Sequence, residues 1–242
     1  MPRSGVLPAA LSGGVMLVLL GCSTGAVVEE SGKSEAGTST VSAVTTPGVP
    51  SPGSAPSTTV TAAPTPRETA TPRVQAARLA IPAIGLADLR VVPYEGTTDD
   101  WPGTRIQNRG VAASPHGDRG GVGPGQVGNY LVTAHRLSAG GPLRELPALD
   151  VGEAVVVTAG GTIYEYEITA RRTTSFRSDR SLAEQRAAVP GHPGRKPTQA
   201  MITISTCATP EDDAAGNLWR DDRGNPEHRI DRIGVLKRVS SQ

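Results

Sequence analysis

The chain has 242 residues and a formal net charge of +1, with 19% charged and 3% aromatic positions. Its length allows one domain, or one domain with a tail. A charge so near zero argues against a nucleic-acid-binding protein, which needs a clear basic excess. Two cysteines are too few for a disulfide-rich scaffold or a four-cysteine zinc site.

Residues 1–22 have the pattern of an export signal. Arg3 precedes an apolar run, Val6 to Leu20, that falls short of the roughly 20 residues needed to cross a bilayer as a helix. The run ends in Leu-Leu-Gly-Cys22, which resembles the bacterial lipobox, in which the cysteine is lipidated. The alternative is an uncleaved signal anchor. Either interpretation predicts export and attachment to the outer face of the cytoplasmic membrane.

Residues 23–75 are rich in Ser, Thr, Ala, Gly and Pro, and no Phe, Trp, Tyr, Leu or Ile occurs between Ser23 and Arg73. Such a stretch cannot bury enough apolar surface to offset its ordering entropy. The composition therefore predicts a disordered spacer between the membrane and the domain that follows.

Residues 76–242 form the predicted domain, in which short β-rich runs alternate with Gly and Pro clusters. This spacing favours a closed all-β barrel, with short helices only around Leu182–Ala188 and Leu143–Leu149. The candidate strands are Arg78–Ile81, Leu89–Val92, Asn129–His135, Ala154–Thr158, Ile163–Thr169, Met201–Cys207 and Ile233–Val239.

Cys207 is the candidate nucleophile. With Cys22 assigned to the lipobox it is the only thiol of the domain, and it lies at the end of the predicted strand Met201–Cys207. A free thiol is mostly protonated at neutral pH and needs a partner. Of the four histidines, His135 also ends a predicted strand, and it is therefore the natural acid/base.

A third group would stabilise the oxyanion that forms when a thiolate attacks an amide carbonyl. Arg232 directly precedes the predicted last strand, and Arg229 competes for the role three residues earlier. We favour Arg232, because the strand Ile-Gly-Val-Leu continues directly from it.

The order His135, Ser205-Thr206-Cys207 and Arg232-Ile-Gly-Val resembles the sortases, the cysteine transpeptidases of bacterial cell surfaces. The segments 189–198 and 128–130 look like those of the actinobacterial class E group. The resemblance implies an eight-stranded barrel. It also implies that Cys207 attacks the Thr–Gly bond of a Leu-Pro-x-Thr-Gly or Leu-Ala-x-Thr-Gly signal. An amine of a peptidoglycan precursor or a pilin would then accept the acyl group.

Other classes fit less well. L,D-transpeptidases carry Ser-His-Gly-Cys, and in papain-like cell-wall amidases the cysteine precedes the histidine. A non-catalytic lipoprotein that binds surface peptides on the same barrel is the main alternative. No cofactor or metal site is predicted, since the acidic runs 211–213 and 221–222 match no calcium-binding loop and are typical of a solvated segment.

Overall fold

A computed structural model describes residues 74–242 of the chain. The predicted export signal and lipobox, including Cys22, and nearly all of the predicted spacer lie outside the described residues. Within 74–242, no helix is long and apolar enough to span a membrane.

Eight strands close into a barrel in the order β1-β2-β3-β4-β7-β8-β6-β5, which confirms the predicted fold class. Most neighbouring pairs are antiparallel, whereas β2–β3 and β4–β7 are parallel. The strands are β1 Ala77–Ile81, β2 Leu86–Glu95, β3 Ala112–His116, β4 Gly128–Thr133, β5 Ala154–Ala159, β6 Thr162–Ser175, β7 Ala200–Cys207 and β8 His228–Ser241.

The three α-helices are short: α1 Trp101–Gln107, α2 Asp179–Arg186 and α3 Thr209–Ala214. The predicted helix near Leu182 corresponds to α2, and the predicted piece near Leu143 is a 3₁₀ turn, Leu146–Ala148. Helix α1 begins after Asp100, whose carboxylate accepts a hydrogen bond from the Gly103 amide at 2.8 Å. This N-cap before Trp101-Pro102 is the local signal that fixes its start.

The barrel interior is filled by side chains that alternate along the strands. On β7, Ile202 and Ile204 point into this core and are fully buried. The intervening side chains, Thr203, Ser205 and Cys207, therefore lie on the opposite face of the sheet. They are buried as well, because α2 and neighbouring segments cover that face.

A buried polar network fastens α2 to the outer face of β7 and β8. Gln185 donates from Nε2 to Ser205 Oγ at 3.2 Å and to Asp231 Oδ1 at 3.0 Å, and its Oε1 accepts from Thr98 Oγ1 at 3.1 Å. Thr174 Oγ1 donates to the second Asp231 oxygen at 2.6 Å. Burial raises the pKa of Asp231. Each of these groups has a partner, which is what burial of polar atoms requires.

Ile202→Ala should lower the free energy of unfolding by about 2–5 kcal/mol, because it removes a fully buried side chain and leaves a cavity in the barrel. Urea unfolding followed by circular dichroism measures the loss. Leu218→Ala is the matched control, since Leu218 is 73% exposed and should change stability by less than about 0.5 kcal/mol. Equal effects of the two changes would contradict the assignment of Ile202 to the core.

Candidate active site

Strand register brings His135 and Cys207 to the same edge of the sheet. The parallel pairing of β4 with β7 runs from Gly128 opposite Ala200 to Thr133 opposite Ser205. Continued by two residues, it sets His135 level with Cys207. Two hydrogen bonds maintain this alignment beyond the end of β4: the Ala134 amide donates to the Ser205 carbonyl at 3.3 Å, and Thr206 Oγ1 donates to the Ala134 carbonyl at 2.8 Å.

On the other side of β7, the antiparallel register with β8 places Arg229 directly opposite Cys207. Arg229 donates from Nη1 to Cys207 Sγ and from Nη2 to Asp99 Oδ1. The Phe176 ring lies 4.6 Å from the guanidinium carbon and adds a cation–π contact. Cys207 thus lies between His135, two residues beyond the end of β4, and Arg229 on β8.

The structure corrects the placement of Arg232. Its side chain donates from Nε to the Leu149 carbonyl at 2.7 Å and from Nη2 to the Pro147 carbonyl at 2.5 Å, so it holds the 3₁₀ turn. Arg232 lies opposite Ile204, a core-facing residue, and so on the face away from Cys207. The error came from the strand boundary: β8 begins at His228, five residues before the predicted Ile233.

Three further residues near the site carry no clear sequence pattern. The Oδ1 atom of Asn108, just after α1, lies 2.7 Å from the Nε2 atom of His135. Asn225 Oδ1 lies 4.0 Å from Cys207 Sγ. Asp99, which pairs with Arg229, has a positive φ of 62° and a buried side chain. A conformation uncommon outside glycine, held at a buried ion pair, indicates that the surroundings fix Asp99 firmly.

Asp221 holds Asn225 beside the thiol. One Asp221 oxygen accepts from the Asn225 amide at 2.8 Å, and the other accepts from its side-chain nitrogen at 3.0 Å. Burial acts to raise the pKa of Asp221, but these hydrogen bonds lower it overall. The predicted acidic segment after Cys207 is therefore internally bonded. Within 74–242, no group of three or more His, Cys, Asp or Glu side chains could hold a metal ion.

The electrostatics favour an uncharged Cys207–His135 couple at rest. Burial raises the pKa of the Cys207 thiol above its ordinary 9.0, although the Arg229 charge opposes the shift. Burial and Arg229 lower the pKa of His135 below 6.5. At neutral pH the groups are therefore mainly thiol and imidazole.

A protein-family comparison matches most of the described domain. A family profile described as the sortase domain matches residues 79–219, a span that contains Cys207 and His135 and ends before Arg229. No curated protein matches the chain.

Three solved structures share the fold at low identity. SrtA sortase from Actinomyces oris gives a TM-score of 0.52 at 17% identity, covering 69% of this chain and 82% of its own. Sortase E from Streptomyces avermitilis gives a TM-score of 0.50 at 23% identity, and the match covers 68% of this chain and 89% of that one. SrtF sortase from Corynebacterium diphtheriae gives a TM-score of 0.52 at 19% identity, and the match covers 74% of this chain and 93% of that one.

Arg229→Gln should slow iodoacetamide alkylation of Cys207 at neutral pH by about tenfold or more, because a charge-assisted contact to the thiolate is lost. The arginine lowers the pKa of the thiol, so its removal should move the alkylation profile to higher pH. Mass spectrometry of the alkylated protein across a pH series measures both effects.

Arg232→Gln is the matched control and should leave the alkylation profile where it is. Arg229→Gln leaves the buried Asp99 carboxylate without its partner. The double variant Asp99→Asn/Arg229→Gln, which removes both charges, is therefore alkylated in parallel. Each protein is measured below its own melting temperature. A larger effect from Arg232→Gln than from Arg229→Gln would reverse the assignment of the arginine.

Proposed function

Because the chain belongs to the sortase family, we propose that it is a cell-surface transpeptidase that acts through Cys207. It cleaves a Leu-Pro-x-Thr-Gly or Leu-Ala-x-Thr-Gly sorting signal between Thr and Gly. The observation that carries the proposal is the position of Cys207 between Arg229 on β8 and His135, which follows the end of β4 by two residues. Cofactor chemistry has no part in it.

In the first half-reaction His135 takes the thiol proton of Cys207, and the sulfur attacks the threonine carbonyl. The carbon–sulfur bond forms, and the oxyanion is stabilised by the adjacent Arg229 guanidinium, which is fixed in place before substrate arrives. When the carbon–nitrogen bond breaks, the His135 imidazolium returns the proton to the departing glycine amine. Asn108 orients the imidazole through its contact with Nε2.

In the second half-reaction an amine of a peptidoglycan precursor or a pilin attacks the thioacyl carbonyl, and Cys207 leaves. The Arg229 contact favours the thiolate as leaving group for the same reason that it favours the nucleophile. The partners in this proposal are therefore surface proteins that carry a C-terminal sorting signal, and an acceptor amine on the cell surface.

Incubation of the 76–242 fragment with Leu-Ala-x-Thr-Gly and Leu-Pro-x-Thr-Gly peptides should give an adduct equal to the peptide truncated after Thr. Intact-protein mass spectrometry detects it, and Cys207→Ala should give none. No adduct combined with slow alkylation of Cys207 would instead favour the non-catalytic peptide-binding lipoprotein. No adduct combined with fast alkylation would mean that the enzyme class is right and the signal is different.

We further propose that Cys22 is lipidated and holds the enzyme at the outer face of the cytoplasmic membrane. The support is the Leu-Leu-Gly-Cys22 pattern at the end of a short apolar run. In a bacterial host, the full chain should fractionate with membranes and carry a lipid mass at Cys22. Cys22→Ser should lose that mass. A parent chain that fractionates with membranes but carries no lipid mass would point to an uncleaved signal anchor.

A further inference from the structure

An open cavity of about 300 Å³ is lined by the segment 97–100, α2 and the segment between β7 and β8. Its apolar lining consists of Phe176, Leu182 and Trp219, and Asp99 is also one of the lining residues. Phe176 also stacks on Arg229, so the cavity adjoins the guanidinium that contacts the thiol.

Asp99 has one carboxylate oxygen without a partner. Oδ1 pairs with Arg229 Nη2, whereas Oδ2 is buried and, among the described residues, receives no hydrogen bond. The residue is only 4% exposed. A buried carboxylate oxygen left unsatisfied costs free energy, and at a cavity wall it is a ready acceptor for a ligand donor.

The other charged groups around the cavity are engaged. Asp100 accepts from the Thr97 and Gly103 amides, and Asp221 accepts from Asn225. Arg223 pairs with Asp221 and Asp222, and Arg186 donates to Thr98. Among the described residues that line the cavity, Asp99 Oδ2 and Thr97 Oγ1 are the buried oxygens without a hydrogen-bond partner, and of these two only Asp99 carries a charge to attract a cation.

We propose that this cavity binds the acceptor substrate of the transpeptidation, a primary ammonium on an aliphatic chain. The ammonium donates to Asp99 Oδ2, and its hydrocarbon stem packs against Phe176, Leu182 and Trp219. This inference rests on the proposed function and names the residue that receives the acceptor. Because Asp99 and Cys207 contact the same guanidinium, a bound amine lies next to the thioacyl group.

The proton balance of the second step follows from this placement. The bound ammonium gives one proton to neutral His135, and the free amine attacks the thioacyl carbonyl. The carbon–nitrogen bond forms, the carbon–sulfur bond breaks, and the second surplus proton of the nitrogen goes to the Cys207 thiolate. Thiol is regenerated, and the His135 proton passes to solvent.

The test measures how the thioacyl enzyme divides between an added amine and water. This ratio is set after acylation, so it does not depend on how fast the thioacyl enzyme forms. The nucleophiles are Nα-acetyl-lysine amide, whose side chain is an ammonium, and hydroxylamine, which is uncharged at neutral pH. Products are quantified by mass spectrometry for the parent protein, Asp99→Asn and the neighbouring control Asp100→Asn.

Asp99→Asn should lower the aminolysis-to-hydrolysis ratio for the lysine derivative by about tenfold or more, the worth of one hydrogen bond to a charged group. With hydroxylamine the ratio should not change, and Asp100→Asn should change neither ratio. Leu182→Lys supplies a second measurement, because a cation in the cavity should repel the ammonium and spare hydroxylamine.

If Asp99 serves only to hold Arg229, Asp99→Asn will slow acylation and leave both ratios unchanged, and that result overturns the proposal. If Asp99→Asn forms no thioacyl enzyme, the Leu182→Lys variant decides instead. Unchanged aminolysis-to-hydrolysis ratios in Leu182→Lys then overturn the proposal. A parent protein that forms no thioacyl adduct with either peptide refutes the proposed signal, and slow alkylation of Cys207 in the same protein refutes the proposed function and the acceptor site with it.

Discussion

The buried guanidinium of Arg229 is the constraint around which the site is arranged. Its side chain is 3% exposed, and a charge so far from water is tolerated only when it is paired and hydrogen-bonded. Asp99 supplies the countercharge, Phe176 covers the guanidinium face, and Nη1 donates to Cys207 Sγ, whereas Nε has no hydrogen-bond partner among the described residues. The need to satisfy one buried cation thus joins the segment before α1, the end of β6 and the ends of β7 and β8. Removing Asp99 or Arg229 alone leaves the other charge unpaired.

Hydrogen bonds from α2 explain why the outer face of β7 carries polar side chains although it is buried from solvent. Ser205 and Asp231 lie next to Cys207 and Arg229 in the β7–β8 register, and Gln185 of α2 bonds to both. Helix α2 itself has little apolar character, so hydrogen bonds rather than hydrophobic burial set its position. Hydrogen bonds are directional, so they fix the position of α2 next to Ser205 and Asp231 more precisely than nonpolar contacts would. The strand residues beside Cys207 are therefore held in a defined arrangement.

Cys207 and His135 could be predicted to lie at one edge of the sheet because each ends a predicted strand with a strong β pattern, although β4 itself ends at Thr133. The barrel could also be predicted, since seven of its strands have apolar or β-branched runs. Strand β3 was missed because Ala112–His116 contains Pro115 and no β-branched residue. It is a strand through parallel pairing with β2, a tertiary effect. Arg229 was passed over for a similar reason: its strand begins in His-Arg-Ile-Asp, where alternation with polar residues hides the start.

Asp99 shows most clearly what a sequence alone cannot supply. Nothing in Thr-Thr-Asp-Asp distinguishes the capping Asp100 from Asp99, yet one is bonded to the backbone and the other reaches a residue 130 positions away. Their roles differ because Asp99 adopts the left-handed conformation, which turns its side chain toward Arg229. The pairing also bears on the thiol. Burial keeps Cys207 mainly protonated, and thiolate is the form that oxidants attack. Among the described residues the one cysteine is therefore held mainly in the thiol form, while the adjacent Arg229 charge opposes the effect of burial on its pKa.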